Sequence, residues 1–247
     1  MPKEYLIPWE ALLDRLPVVE GLAPEEDRRL IALAETFLEK KKLDPVAGLT
    51  MDDSMRRAAA LIACLPILNL GLPLYDNWQT LIFYPYASFT LPEGVLDASG
   101  VVVTDRPVDG VAWPNGPVVV SWLSIEKELE NGWEHAGNVL IHELAHQLDF
   151  RSGFFNGQPP LGTGMDQGVW HRVFSAAFDH LNDLLDREEP SVIFPDAGDN
   201  PAEFFAVVAE MFFSGPELLI QAYPDVYAQL VLLFRQDPYK RLYPDKT

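Results

Sequence analysis

The stretch from Val139 to Asp149, "VLIHELAHQLD", sets two histidines four positions apart, with a glutamate directly after the first. Around them stand Val139, Leu140, Ile141, Leu144, Ala145 and Leu148, an apolar spacing that predicts a buried helix over 136–150. Positions i and i+4 share one helical face, so His142 and His146 sit one turn apart. Burying two imidazoles and a carboxylate among such neighbours costs several kcal/mol unless something satisfies them. A divalent ion would: two ring nitrogens can point at it, and Glu143 beside them can hold a metal-bound water and take its proton. The competing reading is a pair of histidines hydrogen-bonded in a core or on a surface, since so short a motif also arises by chance.

A catalytic zinc takes three protein ligands and a water. A third histidine six residues after His146, with a glycine between, does not exist here, because Ser152 and Asp149 occupy those positions. His171 and His180 lie among polar neighbours in "VWHRVFSAAFDHL", which reads as an amphipathic helix. Carboxylates are better candidates. Glu203 opens the very apolar helix "AEFFAVVAEMFF", where an unpaired charge is costly, and Glu210 lies two turns later on the same face. A first-turn acid is also what a helix N-terminus favours, which is the alternative for Glu203. The two glutamates stand about 10 Å apart along the helix, too far to ligate one ion together. Glu203 follows directly on the loop "FPDAGDNPA", where an ion and a substrate can reach it, so it is the expected third ligand and Glu210 its support. Asp149, three residues after His146, either orients a ligand histidine or is a plain helix-end acid.

The rest of the chain bounds the fold. Its 247 residues are 48% hydrophobic, enough for a sizeable core, and no repeat or low-complexity linker divides them. Residues 1–247 are expected to form one compact α+β unit: a helical N-terminal part over 1–70 and a catalytic part over 71–247. Helices are expected from Pro24 ("PEEDRRLIALAETFLEKKKL") and from Thr50, where "TMDD" reads as a capping box. "WQTLIFYPYASF" (78–89), "GVVVTD" (100–105) and "GPVVVSW" (116–122) read as strands, and helix returns over 169–188 and 201–215 and again at the C-terminus. The strand "GPVVVSW", just upstream of the histidine helix, is expected to be the edge on which a peptide could pair.

Charge and cysteine use exclude other classes. Thirty-seven acids against 18 bases leave a formal charge of −19, which repels phosphate backbones and argues against direct nucleic-acid binding. The triplet "KKK" at 40–42 reads as cations closing a helix. The longest apolar run, "AAALIACLPIL", falls far short of the roughly 20 residues that cross a bilayer, and no signal peptide is evident, so no membrane association is expected. The single cysteine, Cys64, rules out an internal disulfide framework and fits the cytoplasm.

Taken in order, "YDNWQTLIFYP", "GPVVVSW", "VLIHELAHQLD", "NGQPPL", "NPAEFFAVVAEMFF" and "QDPYKRLYP" resemble the Mlc titration factor family of zinc-dependent peptidases from about residue 70 onward, and more weakly before it. The resemblance implies a mostly helical zincin-like fold with a small mixed sheet, similar to the metalloprotease domain of anthrax lethal factor. It implies Zn²⁺ held by His142, His146 and Glu203, with Glu143 as the catalytic glutamate of a gluzincin. It also implies aminopeptidase-type hydrolysis of peptides, and a transcriptional repressor of sugar uptake as protein partner. Two departures stand out. Some relatives carry an upstream histidine that closes the metal in a resting state, whereas no histidine precedes His135 here. Relatives also often have an oxyanion-stabilising tyrosine seven residues before the third ligand, a position held here by Asp196, with Tyr223 as the substitute to examine. These departures keep a second function class in view, a vestigial peptidase fold that sequesters a regulator.

Overall fold

The computed structural model describes residues 7–90, 107–131 and 137–246. After a short helix α1 (Trp9–Leu13), helix α2 (Pro24–Lys40) begins on a proline. Its first turn carries Glu25, Glu26 and Asp27, and the Glu26 carboxylate accepts the Ala23 N–H at 3.0 Å. Leu30, Ala34 and Phe37 recur at helical spacing and are buried. The lysine triplet divides three ways. Lys40 ends α2, while Lys41 is buried and donates to the Tyr75 carbonyl at 2.6 Å and to the Trp78 carbonyl, its ammonium 4.4 Å from the Trp78 ring centre. Burial lowers its pKa. Lys42 opens strand β1 (Lys42–Pro45), so the N-terminal quarter, expected to be mostly helical, also supplies a strand.

Helix α3 (Asp53–Cys64) starts later than Thr50. Its cap is Asp52, whose Oδ1 accepts the Met55 N–H at 2.8 Å, a stronger acceptor than the threonine hydroxyl the sequence suggested. Strands β2 (Thr80–Tyr84), β3 (Gly110–Ala112) and β4 (Val118–Ser121) complete a mixed sheet in the order β1-β2-β4-β3. β4 pairs in parallel with β2 (Leu81 opposite Val118) and antiparallel with β3 (Val111 opposite Val119). This corrects the expected edge: "GPVVVSW" lies inside the sheet, every residue of β4 is buried, and among the described residues the strand beyond it is β3. The unbroken Val118-Val119-Val120 run carries the physical reason, because an edge strand with one wet face alternates and a strand covered on both faces does not. The expected strand over 100–105 lies outside the described residues.

Helix α4 (Trp122–Asn131), which the sequence pattern did not reveal, follows β4 directly. The histidine helix is α5 (Val139–Asp149), and α6 (Gln167–Asp186) and α7 (Pro201–Ser214) follow. The helical C-terminus is cut into α8 (Pro216–Ala222), α9 (Pro224–Phe234) and α10 (Pro238–Leu242), each opening on a proline that cannot continue the helix before it. The architecture is α+β and mostly helical, with a small mixed sheet. Most of its buried apolar residues, from Leu12 in α1 to Phe234 in α9, join one cluster. Within it α5 lies between α7 on one side and β3 and β4 on the other. No helix among the described residues is long and apolar enough to cross a membrane.

Candidate metal centre

Helix α5 is capped by Asn138, whose side chain accepts the Ile141 N–H at 3.1 Å. That start sets the phase of the helix and turns His142 and His146 to the side of α7, with ring centres 4.9 Å apart. Helix α7 is capped by Asn200, whose Oδ1 accepts the N–H groups of Ala202 at 3.0 Å and Glu203 at 3.1 Å. With the cap supplied by Asn200, the Glu203 carboxylate turns instead to both imidazoles. Its Oε2 lies 3.3 Å from His142 Nε2 and its Oε1 3.4 Å from His146 Nε2. Ligand atoms of His142, His146 and Glu203 all lie within 4.8 Å of one another.

Those distances fit a metal ion. Donors about 2.0–2.1 Å from a tetrahedral zinc stand about 3.4 Å from each other, which is the spacing between Glu203 and each histidine. The donor set, two imidazoles and a carboxylate, suits a divalent ion of this size.

Glu210 faces the other nitrogen of His142: its Oε2 is 3.1 Å from Nδ1. Its Oε1 accepts the Asn138 N–H, so one carboxylate ties the ring to the start of its own helix. Glu143 is 5% exposed and presses against β3. A Cβ at Gly110 would lie 2.4 Å from its Oε1 and 2.6 Å from its Cγ, so only glycine allows this approach. Sequence reasoning missed Gly110. The signal was present, since a glycine in a strand often marks a close approach of another group.

The charges are strongly coupled. Burial pushes the Glu143 carboxyl up to about 7, against the pull of His142 and His146. Burial also opposes charge on both rings, but the carboxylates outweigh it: Glu203 and Glu210 hold His142 well above its usual value, and Glu203 raises His146. In turn, despite its own burial, the two histidines hold Glu203 far below the usual carboxylate range. A negative charge set among imidazoles in this way is the electrostatic counterpart of the ligand geometry.

Asp149 is fully buried, its Oδ2 accepting the N–H groups of Asn156 and Gly157 at 2.8 Å each, and burial pushes its carboxyl up to about 6. His171 and His180 stand exposed on α6, and neither joins the group. His180 Nδ1 lies 3.0 Å from the Tyr223 hydroxyl, and the Tyr223 ring packs on Phe204. Asp196 is exposed in the turn before α7. Its charge reaches Asp109, one residue before β3, which also senses His142 and Glu210. Asp109 carries no sequence signal of its own. The protein packed around it raises its carboxyl pKa, and Glu210 and Asp196 add to the rise.

Comparison with known proteins gives concordant results. The model of a family described as glucose-regulated metallo-peptidase M90 matches residues 5–235. Mlc titration factor A of Pectobacterium atrosepticum is 37% identical over 238 residues, covering 95% of this chain and 88% of that protein. The protein of the same name from Cronobacter sakazakii is 35% identical over 240 residues, covering 96% and 88%. That of Escherichia fergusonii is 35% identical over 244 residues, covering 97% and 90%.

Proposed function

We propose that this chain, which belongs to the glucose-regulated metallo-peptidase M90 family, is a zinc-dependent aminopeptidase of the gluzincin kind. The observation that carries the reading is the pair of 3.3 and 3.4 Å distances from one Glu203 carboxylate to two imidazoles, the spacing of donors around a tetrahedral ion. Zn²⁺ held by His142, His146 and Glu203 would supply Lewis acidity and bring the pKa of a bound water down to about 7. Glu143 is the general base. Its carboxylate takes the proton of the attacking water and delivers it to the leaving amine. Glu210 holds His142 by Nδ1, which keeps Nε2 directed at the site.

An extended peptide would pair along the side of β3 away from β4, beside Glu143 and past Val108, whose backbone pairs with Phe89. The amino-terminal preference rests on Asp109, an exposed acid one residue before β3, and on Asp196, in the turn before α7, whose charge reaches it; together they would attract a free α-ammonium. We read residues 1–247 as one working unit located in the cytoplasm, since α1–α3 share the apolar cluster of α5 and α7 and Cys64 is buried and free.

The test compares zinc-loaded wild type with Glu143→Gln on a peptide with a free amino terminus and on its acetylated form. Turnover of the free peptide by wild type, lost by roughly 10²–10⁴-fold in the mutant at equal zinc content, is the expected result. Equal turnover by pure mutant protein would remove Glu143 from the mechanism. Faster cleavage of the acetylated peptide would make the chain an endopeptidase.

The name shared by the relatives favours a second role, binding of a transcriptional repressor of the Mlc kind. A repressor held by a protein surface should bind folded His142→Ala protein as tightly as wild type in calorimetric titration. Binding seen only with zinc present would move the contact to the metal centre.

A further inference from the structure

His142 has a partner at each ring nitrogen, Glu203 at Nε2 and Glu210 at Nδ1. His146 does not. Its Nε2 faces Glu203, but its Nδ1 is buried without a hydrogen-bond partner among the described residues. Three positions further on the same helical face, Asp149 is fully buried. Its Oδ2 accepts two backbone N–H groups, while its Oδ1 is also buried and unpartnered. A buried polar atom left unpaired costs about 1–3 kcal/mol, and here a ring nitrogen and a carboxylate oxygen stand a turn apart on one helix, beyond hydrogen-bond distance of each other in this structure, each lacking what the other offers.

The segment that Asp149 holds leads to the third ligand. Gly157 has φ +74°, and a Cβ there would lie 2.3 Å from the Pro201 carbonyl oxygen, so the loop packs directly on the first residue of α7, two before Glu203. The Gly157 carbonyl accepts the Trp170 indole N–H of α6 at 3.0 Å. The loop is thus clamped between α6 and α7, and Asp149 anchors α5 to it.

We propose that Asp149 is the positioning residue for His146. In the metal-loaded protein a small turn of the imidazole brings Nδ1 to Oδ1, which accepts its proton and fixes the tautomer that leaves Nε2 free to bind metal, while Oδ2 braces α5 against the start of α7. The proposal rests on the reading of His146 as an Nε2 ligand.

The decisive variant is Asp149→Asn, which keeps the side chain's size. Its amide oxygen can still accept from Asn156 and Gly157, so the brace survives. The amide nitrogen then faces His146 and donates, which forces Nδ1 to be an acceptor and places the proton on Nε2. A residue needed only for the brace would tolerate this change. Two readouts are taken on the full chain: zinc affinity against a competing chelator, and ¹⁵N-edited NMR of the imidazoles in the zinc-loaded protein. We expect a 10- to 100-fold loss of zinc affinity in folded Asp149→Asn protein, and in wild type a slowly exchanging proton on His146 Nδ1 that the variant lacks.

Unchanged affinity, or a His146 Nδ1 proton that exchanges as freely in wild type as in the variant, overturns the proposal. Where the variant does not fold, the wild-type spectrum decides: a protected Nδ1 proton supports the proposal and an unprotected one sinks it. Glu203→Ala separates this failure from that of the metal reading. If wild type binds zinc and Glu203→Ala does not, an unaffected Asp149→Asn removes only Asp149, whereas a wild type that binds no zinc removes both.

Discussion

Two glutamates of α7 grip one imidazole from both ends: Glu203 Oε2 is 3.3 Å from Nε2 of His142, and Glu210 Oε2 is 3.1 Å from Nδ1 of the same ring. They are two turns apart on one helix face, so they reach His142 from different heights along α7. Their effects on metal binding should therefore differ in size. With Glu203 as the proposed third ligand, Glu203→Ala should abolish zinc binding at micromolar concentrations, whereas Glu210→Ala removes a hydrogen-bond partner and should weaken it about 10- to 100-fold. Competition titration with a chromogenic chelator measures both. Zinc retained by Glu203→Ala and lost by Glu210→Ala would exchange their roles.

Glu143 should destabilise the metal-free protein above mildly acidic pH. Its carboxyl moves from 4.5 to about 7 on folding, with burial as the main cause. The folded state then binds more protons than the unfolded one between those values, so stability falls as pH rises through that window. The displacement corresponds to about 3 kcal/mol, fully expressed above pH 7. Glu143→Gln mimics the neutral acid and should stabilise the protein in chelator by up to that amount at pH 8, with little effect at pH 4.5. Urea unfolding at the two pH values checks it, and equal gains at both would refute the burial argument.

Gly110→Ala should impair turnover and leave the metal in place. The new methyl would overlap Glu143 Oε1, Cγ and Cδ, at 2.4, 2.6 and 2.8 Å. A side chain gives way more easily than a strand, so Glu143 should leave its place while the sheet holds. A fall in kcat of tenfold or more with wild-type zinc content is expected. Wild-type kcat would show that the general base does not depend on this contact.

Asp109→Asn tests the amino-terminal preference. An exposed ion pair is worth up to about 1 kcal/mol, so KM for a substrate with a free amine should rise about three- to fivefold, with that for its acetylated counterpart unchanged. Equal rises for both substrates would assign Asp109 to backbone positioning and not to charge recognition.

Much of this arrangement could be read along the chain, and the misses have physical causes. Asn200 and Pro201 announced the start of α7 because capping and a missing N–H act within one turn. Lys41 looked like a helix-end cation, yet it is buried under Trp78, since the carbonyls that receive it, at Tyr75 and Trp78, are more than thirty residues away. Helix α4 escaped notice because "GPVVVSW" ends in strand-forming residues, and Trp122 is already the first residue of the helix.

The sequence by itself determined that α5 would be buried and would carry His142 and His146 on one face, with Glu143 beside them. Helical periodicity and the cost of burying polar groups operate between near neighbours, and a pattern of residues is enough to express them. It likewise placed Glu203 in the first turn of an apolar helix, but could not tell a capping acid from a metal ligand. Only the tertiary structure set where that carboxylate turns, by packing α7 against α5 so that it meets both rings while Asn200 serves the cap. It also decided which strand lies beyond β4 and which glycine faces Glu143. Strand order and helix packing are set by long-range contacts, in which each segment's neighbours depend on the whole chain, and no local pattern encodes them.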